Sequence, residues 1–226
     1  MYNAFFTKFI RRIALKGTVL YEVRDNVAVL TVDNPPVNPL SDGVRTGLYE
    51  SITKAESDDS VKGVVVTGNG RAFIAGADIS EFGGNVEGVS LNEVFSKLEF
   101  CSKPVVAAIN GIALGGGLET ALCCNYRIAA NSAFVGLPEI NLGLLPGGGG
   151  TQRLPRLAGP SEALKMMLTG GHVPAKKALS MGIIDDISDN VVEDSIKFVL
   201  DKAENSENHP KVRDLNEKMI EARGND

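Results

Sequence analysis

The sequence predicts an α/β fold, and three observations carry that expectation. Val61–Gly68 (VKGVVVTG) and Lys103–Gly111 (KPVVAAING) are short apolar runs without alternation, the pattern of strands covered on both faces of a sheet. Segments with helical spacing and capping residues separate them. Glycine clusters then mark the junctions, at 115–117 and 147–150.

Taken in order, the first sixteen residues stand apart. They contain Lys8, Arg11, Arg12 and Lys16 and no acid, with Phe5, Phe9 and Ile13 at helical spacing. This reads as a basic amphipathic helix, either a transit or membrane-surface segment or an extension packed on the domain. From 18 to 36, TVLYEVRDNVAVLTVDNPP alternates on either side of Asp25-Asn26, a β-hairpin ended by paired prolines. Ser41 or Asp42 then caps a helix whose apolar face is Val44, Leu48, Ile52 and Ala55. GNGRAFIAGAD, at 68–78, reads as a loop. Asp78 with Glu81, and Ser90 with Glu93, have capping-box spacing, the second pair opening a helix that stops at Lys103-Pro104.

Past that point the pattern repeats. Gly115 to Gly117 lead into a helix over LETALCCNY, and RIAANSAFVG supplies further strand. PEINLGLLPGGGGTQRLP reads as a glycine-rich loop, and SEALKMMLTG as a helix closed by glycine. AKKALSMGIIDDI gives a further helix and a short strand, and the tail from about Val192 is helical and charged. No linker divides residues 17–190, so the expected organisation is an N-terminal extension over 1–16, one core domain over 17–190 and a helical segment over 191–226.

Composition excludes several function classes. At 226 residues the chain can bury a sizeable core, and its net charge of -5 argues against a nucleic-acid partner. Three cysteines without CxxC spacing fit a reducing compartment, and two distant histidines offer no metal site. No apolar run reaches membrane-spanning length, so stable membrane insertion is not expected. The chain contains no Gly-Lys pair, which removes a P-loop. GNGRAF and GGGGTQ are only fragments of a dinucleotide fingerprint, and no serine nucleophile motif appears.

What remains is a pair of acids. Between Lys103 and Arg153 the only charged residues are Glu119, Arg127 and Glu139. A buried carboxylate is costly unless paired or used. Glu119, Leu122, Cys123 and Tyr126 share one face of the expected helix, whose opposite face is scarcely more polar, so the helix reads as buried all round. Glu119 by itself fits a bland first-turn role at the helix dipole, and Glu139 after a proline fits a surface turn. Together, beside glycines that let a ligand approach backbone N–H groups at a helix N-terminus, they point to paired acid–base chemistry on an anionic centre.

AFIAGADI (72–79), INGIALGGGLE (109–119) and FVGLPEINLGLLPGGGGTQRLPR (134–156) resemble the crotonase, or enoyl-CoA hydratase/isomerase, superfamily. The likeness spans roughly residues 18–190. NPPVN, GRAFIAGADISEFG and HPKVRDLNEKMIEARG are most similar to the hydratase half of multifunctional β-oxidation enzymes. The resemblance implies a spiral of β-β-α units, with a C-terminal helical region shorter than usual. It also implies an enoyl-CoA hydratase, with isomerisation as a plausible second reaction, and no cofactor, because coenzyme A is part of the substrate.

The resemblance further assigns roles. The N–H groups of Ala77 and Gly116 match the pair that holds the thioester oxygen, each worth roughly 3 kcal/mol to the enolate-like transition state. Glu119 matches the residue that deprotonates the attacking water, and Glu139 the residue that protonates the α-carbon. Ala75, Gly76, Asp78, Gly115, Leu137, Pro138 and Gly147 match substrate-binding positions. Arg71 matches a basic position that meets the nucleotide phosphates, whereas Ser80 stands where some hydratases have lysine. The resemblance implies a homotrimer or hexamer, or attachment to a 3-hydroxyacyl-CoA dehydrogenase. The expected location is the bacterial cytoplasm, with the mitochondrial matrix or peroxisome as alternatives. Two other readings within the superfamily stay open, an RNA-binding member and a catalytically idle assembly subunit.

Overall fold

The computed structural model describes residues 17–81, 88–206 and 208–224, so the amphipathic segment expected over 1–16 lies outside the described residues. The hairpin forms as its alternation predicts. Strands β1 (Thr18–Arg24) and β2 (Val27–Asp33) pair antiparallel, joined by Asp25 and Asn26 at positive φ, the conformation that a two-residue turn of this twist requires. Helix α1 (Asp42–Ser57) buries Val44, Leu48, Ile52 and Ala55 as expected. Its cap differs. The Ser41 hydroxyl accepts from Asn34 Nδ2, and Glu81 Oε1 reaches across to accept from the Asp42 N–H at 2.9 Å.

From β3 (Gly63–Gly68) onward, successive strands enter two different sheets. Strand β3 lies in the first sheet and β4 (Ala72–Ile74) in the second, before α2 (Leu91–Glu99). The same alternation brings β5 (Val105–Ile109), β6 (Ile112–Leu114) and α3 (Gly116–Cys123), then β7 (Tyr126–Ala130), β8 (Phe134–Gly136), a 3-10 turn (Glu139–Leu142) and α4 (Gly150–Ala158). These three β-β-α passes are the expected spiral. The chain continues through α5 (Pro160–Thr169), β9 (Val173–Pro174), α6 (Ala175–Ser180), β10 (Asp186–Ser188), α7 (Val191–Asn205), a 3-10 turn (Val212–Asp214) and α8 (Glu217–Arg223).

The first sheet has the order β1-β2-β3-β5-β7-β10 and is parallel from β2 to β10; the second has the order β4-β6-β8-β9. The first sheet is covered on both sides, which is why VKGVVVTG and KPVVAAING do not alternate. On one side lies the main core, with Leu30, Leu48, Ile52 and Val66. On the other, Val191, Ile196 and Val199 of α7 cover Val65, Val106 and Ile128.

Four expectations need correction. The loop GNGRAFIAGAD contains β4, a strand too short to show a period. Asp78 and Glu81 do not make the expected capping pair; Asp78 Oδ1 accepts from the Ser80 N–H and hydroxyl, while Glu81 pairs with buried Arg45 at 2.5 Å. The Ser90–Glu93 box does form. Helix α3 stops at Cys123, so Tyr126 is not on its face but begins β7, where it pairs with Val106. The second half of the glycine-rich loop is helix α4, whose N-cap Gly149 is left-handed. Only Gly150 of the cluster enters the helix, at its first position.

One contact sets how closely α3 meets the second sheet. A Cβ on Gly117 would lie 1.9 Å from the Ile74 carbonyl oxygen, so only glycine lets the helix approach β4 this closely. Gly117→Ala is expected to destabilise the protein by roughly 3 kcal/mol, measured as a drop in the urea midpoint with an unchanged m-value.

Candidate active site

Three segments converge at the carboxyl ends of β4, β6 and β8: the turn Ala75–Asp78, the start of α3, and the chain from Pro138 to Gly150. The first is held by the NPPVN turn. Asn38 Nδ2 donates to the carbonyls of Ala72 at 2.8 Å and Asn69 at 2.9 Å, and its Oδ1 accepts from the Asn34 N–H. The next residues run alongside, with Ala75 N–H donating to Val37 and Leu40 N–H to the Gly76 carbonyl. The NPPVN turn therefore acts as a clasp on the Ala75–Ala77 backbone.

Gly115 has φ +52 and ψ -125, which glycine adopts readily, and its N–H donates to the Gly136 carbonyl at 2.9 Å. That turn brings Gly116 against Ala77, so close that a Cβ on Gly116 would lie 3.5 Å from Ala77 N. Among the described residues, neither the Ala77 nor the Gly116 N–H donates to a protein acceptor. Gly116 is also the first residue of a buried helix, where orphan amides and the dipole favour negative charge.

Glu119 lies one turn on and is 3 % exposed. Its Oε1 accepts from the N–H groups of Gly148 and Gly150, both at 2.8 Å. Burial pushes its carboxyl above the usual range, while the two amides and the Arg153 charge pull it back. Glu139 is half-buried, yet its Oε2 is buried without a hydrogen-bond partner. Burial raises its carboxyl too; a hydrogen bond from its own backbone opposes this, and the Glu119 charge adds to it. The third charge of the run, Arg127, is structural: it pairs with Asp185 at 2.9 Å and donates to the Ile183 and Cys124 carbonyls.

Both glutamates line one cleft of about 320 Å³. Of the positions expected from sequence, Ala75, Gly76, Ala77, Gly115, Gly116, Pro138 and Gly147 line it with them. Asp78 borders an adjoining pocket of similar size, which shares Ala77, Leu91, Gly147 and Gly148 with the first. Leu137 is instead buried beneath the cleft, 3.0 Å from where a Gly150 Cβ would lie. Arg71 is exposed and is not part of the lining; it leads into β4, with its carbonyl packed against Gly111.

Several wall residues escaped the sequence reading. Ile79, Leu142, Leu144 and Leu145 form an apolar side of the cleft, and the three leucines are exposed at the end of the 3-10 turn and in the loop after it, with no period to announce them. Gly148 and Gly150 were legible as a glycine cluster but not as the donors that hold Glu119. Arg153 and Glu99 pair across 54 positions, a separation that carries no local signal.

Among the described residues there is no cluster of three metal-binding side chains and no helix long and apolar enough to cross a membrane. The sequence model described as enoyl-CoA hydratase/isomerase matches residues 22–222. The peroxisomal bifunctional enzyme of Danio rerio is 48% identical over 179 residues, 79% of this chain and 25% of that protein. A probable enoyl-CoA hydratase of Bacillus subtilis is 46% identical over 165 residues, 70% of this chain and 64% of that one. The first of these relatives is representative, and the chain spans about a quarter of the length of the multifunctional proteins it matches. The crystal structure of enoyl-CoA hydratase from Bacillus anthracis superimposes with a TM-score of 0.77 at 35% identity, covering 83% of this chain and 77% of that one. A match over nearly the whole chain, with this spiral of β-β-α units, makes the protein a member of the enoyl-CoA hydratase/isomerase family.

Proposed function

We propose that the chain hydrates the 2,3 double bond of 2-enoyl-CoA thioesters. The observation that carries this reading is the convergence on one cleft of two carboxylates and two unpartnered amides. The Ala77 and Gly116 N–H groups hold the thioester oxygen. Glu119, ionised and steadied by the Gly148 and Gly150 amides, removes a proton from water as its oxygen bonds to the β-carbon. The alkene electron pair moves toward the carbonyl, and the charge that builds on the oxygen is met by the two amides and the α3 dipole. Glu139, protonated at the outset, delivers its proton to the α-carbon.

The two environments suit opposite protonation states. Glu119 is buried but has two N–H donors and a nearby cation to support its charge, whereas Glu139 has a buried oxygen with no donor and a neighbouring negative charge. The same free oxygen of Glu139 also supports a second reading, proton transfer between the α- and γ-carbons of an enoyl-CoA, an isomerisation that passes through the same enolate. The product of hydration is a 3-hydroxyacyl-CoA. Relatives named as bifunctional or multifunctional β-oxidation proteins support a partnership with a dehydrogenase that oxidises that product, whether in one polypeptide or beside it.

Crotonyl-CoA hydration, followed as the loss of conjugated thioester absorbance, tests the assignment. Glu119→Gln and Glu139→Gln are each expected to lower kcat by about 10²- to 10⁴-fold; wild-type turnover in either variant would remove that residue from the chemistry. A stability measurement separates this from loss of fold. Because folding raises the Glu139 carboxyl, the native state binds more protons than the unfolded chain between the two values, so ionising Glu139 costs stability as pH rises through that window. Glutamine does not titrate. Glu139→Gln is expected to raise the urea midpoint relative to wild type at pH 8, with the gain vanishing near pH 4.

A further inference from the structure

Behind Glu119 lies a charge cluster of which the mechanism above uses only the nearby positive charge. Arg153 of α4 donates through Nε and Nη2 to the two oxygens of Glu99 on α2, at 2.8 and 2.9 Å. Glu99 is 2 % exposed and also accepts from Arg213 Nη1 at 3.1 Å, from the 3-10 turn before α8. The third arm of Arg153 points the other way. Its Nη1 donates at 2.9 Å to the carbonyl of Gly148, the residue whose N–H holds Glu119 Oε1.

We infer that Arg153, clamped by Glu99, fixes the glycine loop that hydrogen-bonds Glu119 and holds a positive charge behind that carboxylate, and so is a positioning residue for the base. This rests on Glu119 being that base. A guanidinium only 12 % exposed and held by a bidentate partner has one orientation, and here that orientation presents both a donor to the loop and a charge to the carboxylate. The loop itself is built around the contact, since a Cβ on Gly149 would lie 2.1 Å from Arg153 Nη1. Glu99 moderates the effect by neutralising part of the charge, and Arg213 in turn offsets Glu99 from the surface side.

The groups facing Glu119 can be named element by element. Arg153 faces it from α4 and Glu139 from the 3-10 turn, Cys123 lies one turn along α3, and Glu99 stands behind Arg153 on α2. Arg153 is the one cation among them. The cluster predicts opposite responses to the removal of its two members, which loss of packing alone does not produce.

The test titrates the side-chain carboxyls of the full chain by carbon-13 NMR, with the Glu119 resonance assigned by its absence in Glu119→Gln. In Arg153→Gln the Glu119 midpoint is expected to rise; in Glu99→Gln it is expected to fall; in Arg153→Lys, which keeps the charge and loses the fork, it is expected to stay near wild type. For hydration, Arg153→Gln should lower kcat at pH 7 by roughly tenfold. It should also move the acid limb of the pH profile upward, recover at alkaline pH, and leave KM near wild type. If Glu99→Gln does not fold, Arg213→Gln makes the test from the exposed side and should raise the midpoint. Unchanged midpoints, or shifts of one sign in both Arg153→Gln and Glu99→Gln, would overturn the inference. Opposite shifts in a protein that hydrates no crotonyl-CoA would uphold the cluster and refute the base assignment instead.

Discussion

Glu119 places a carboxylate on a helix with no exposed face, and the structure around it is arranged to make that tolerable. An unpaired charge there would be expelled or neutralised. Two backbone amides accept the task, and they can do so only because Gly148 and Gly150 present N–H groups where side chains would collide. A Cβ on Gly148 would lie 2.2 Å from Phe95 and 2.6 Å from Glu119 Oε2. The glycine cluster and the start of α4 both serve this one pair of hydrogen bonds.

A second consequence is the separation of duties between backbone and side chains. Backbone amides at Ala77 and Gly116 face the cleft, and amides at Gly148 and Gly150 face the carboxylate. Each set is held by polar groups at a distance: Asn38 on the Ala72 carbonyl in the strand that leads to Ala77, and Arg153 with Glu99 behind Gly148. Donors fixed in this way cost no reorganisation when charge develops on a ligand, which is the physical basis of electrostatic catalysis in a water-poor site. The arrangement is costly to stability, since both acids are raised by burial, and the fold absorbs that cost through two well-packed cores.

Much of this is legible in the order of the side chains. The hairpin at Asp25-Asn26, the apolar face of α1, the Ser90–Glu93 box and the buried strands β3 and β5 all follow from local periodicity and turn chemistry, which act over a few residues and leave a trace in the order of side chains. The two acids stood out for a similar reason: a long uncharged run makes any charge within it conspicuous. The family motifs carried the rest of the site, because AFIAGADI and INGIALGGGLE encode two turns that only glycine and small residues can make.

What tertiary structure alone decided is of a different kind. Strands β4, β6, β8 and β9 are two or three residues long, too brief for alternation to mean anything, and they exist because neighbouring passes of the spiral supply their hydrogen bonds. Helix α4 starts at Gly150, directly after a glycine run that gives no local signal for a helix start. The burial of Leu137 beneath the cleft and the Arg153–Glu99–Arg213 cluster are contacts between segments far apart in the chain. By itself the sequence determined the longer strands, which acids were out of place and where backbones could approach closely. Which oxygen each amide meets, and what charge stands behind Glu119, depended on long-range packing, because those energies arise between residues that nothing in the chain order brings together.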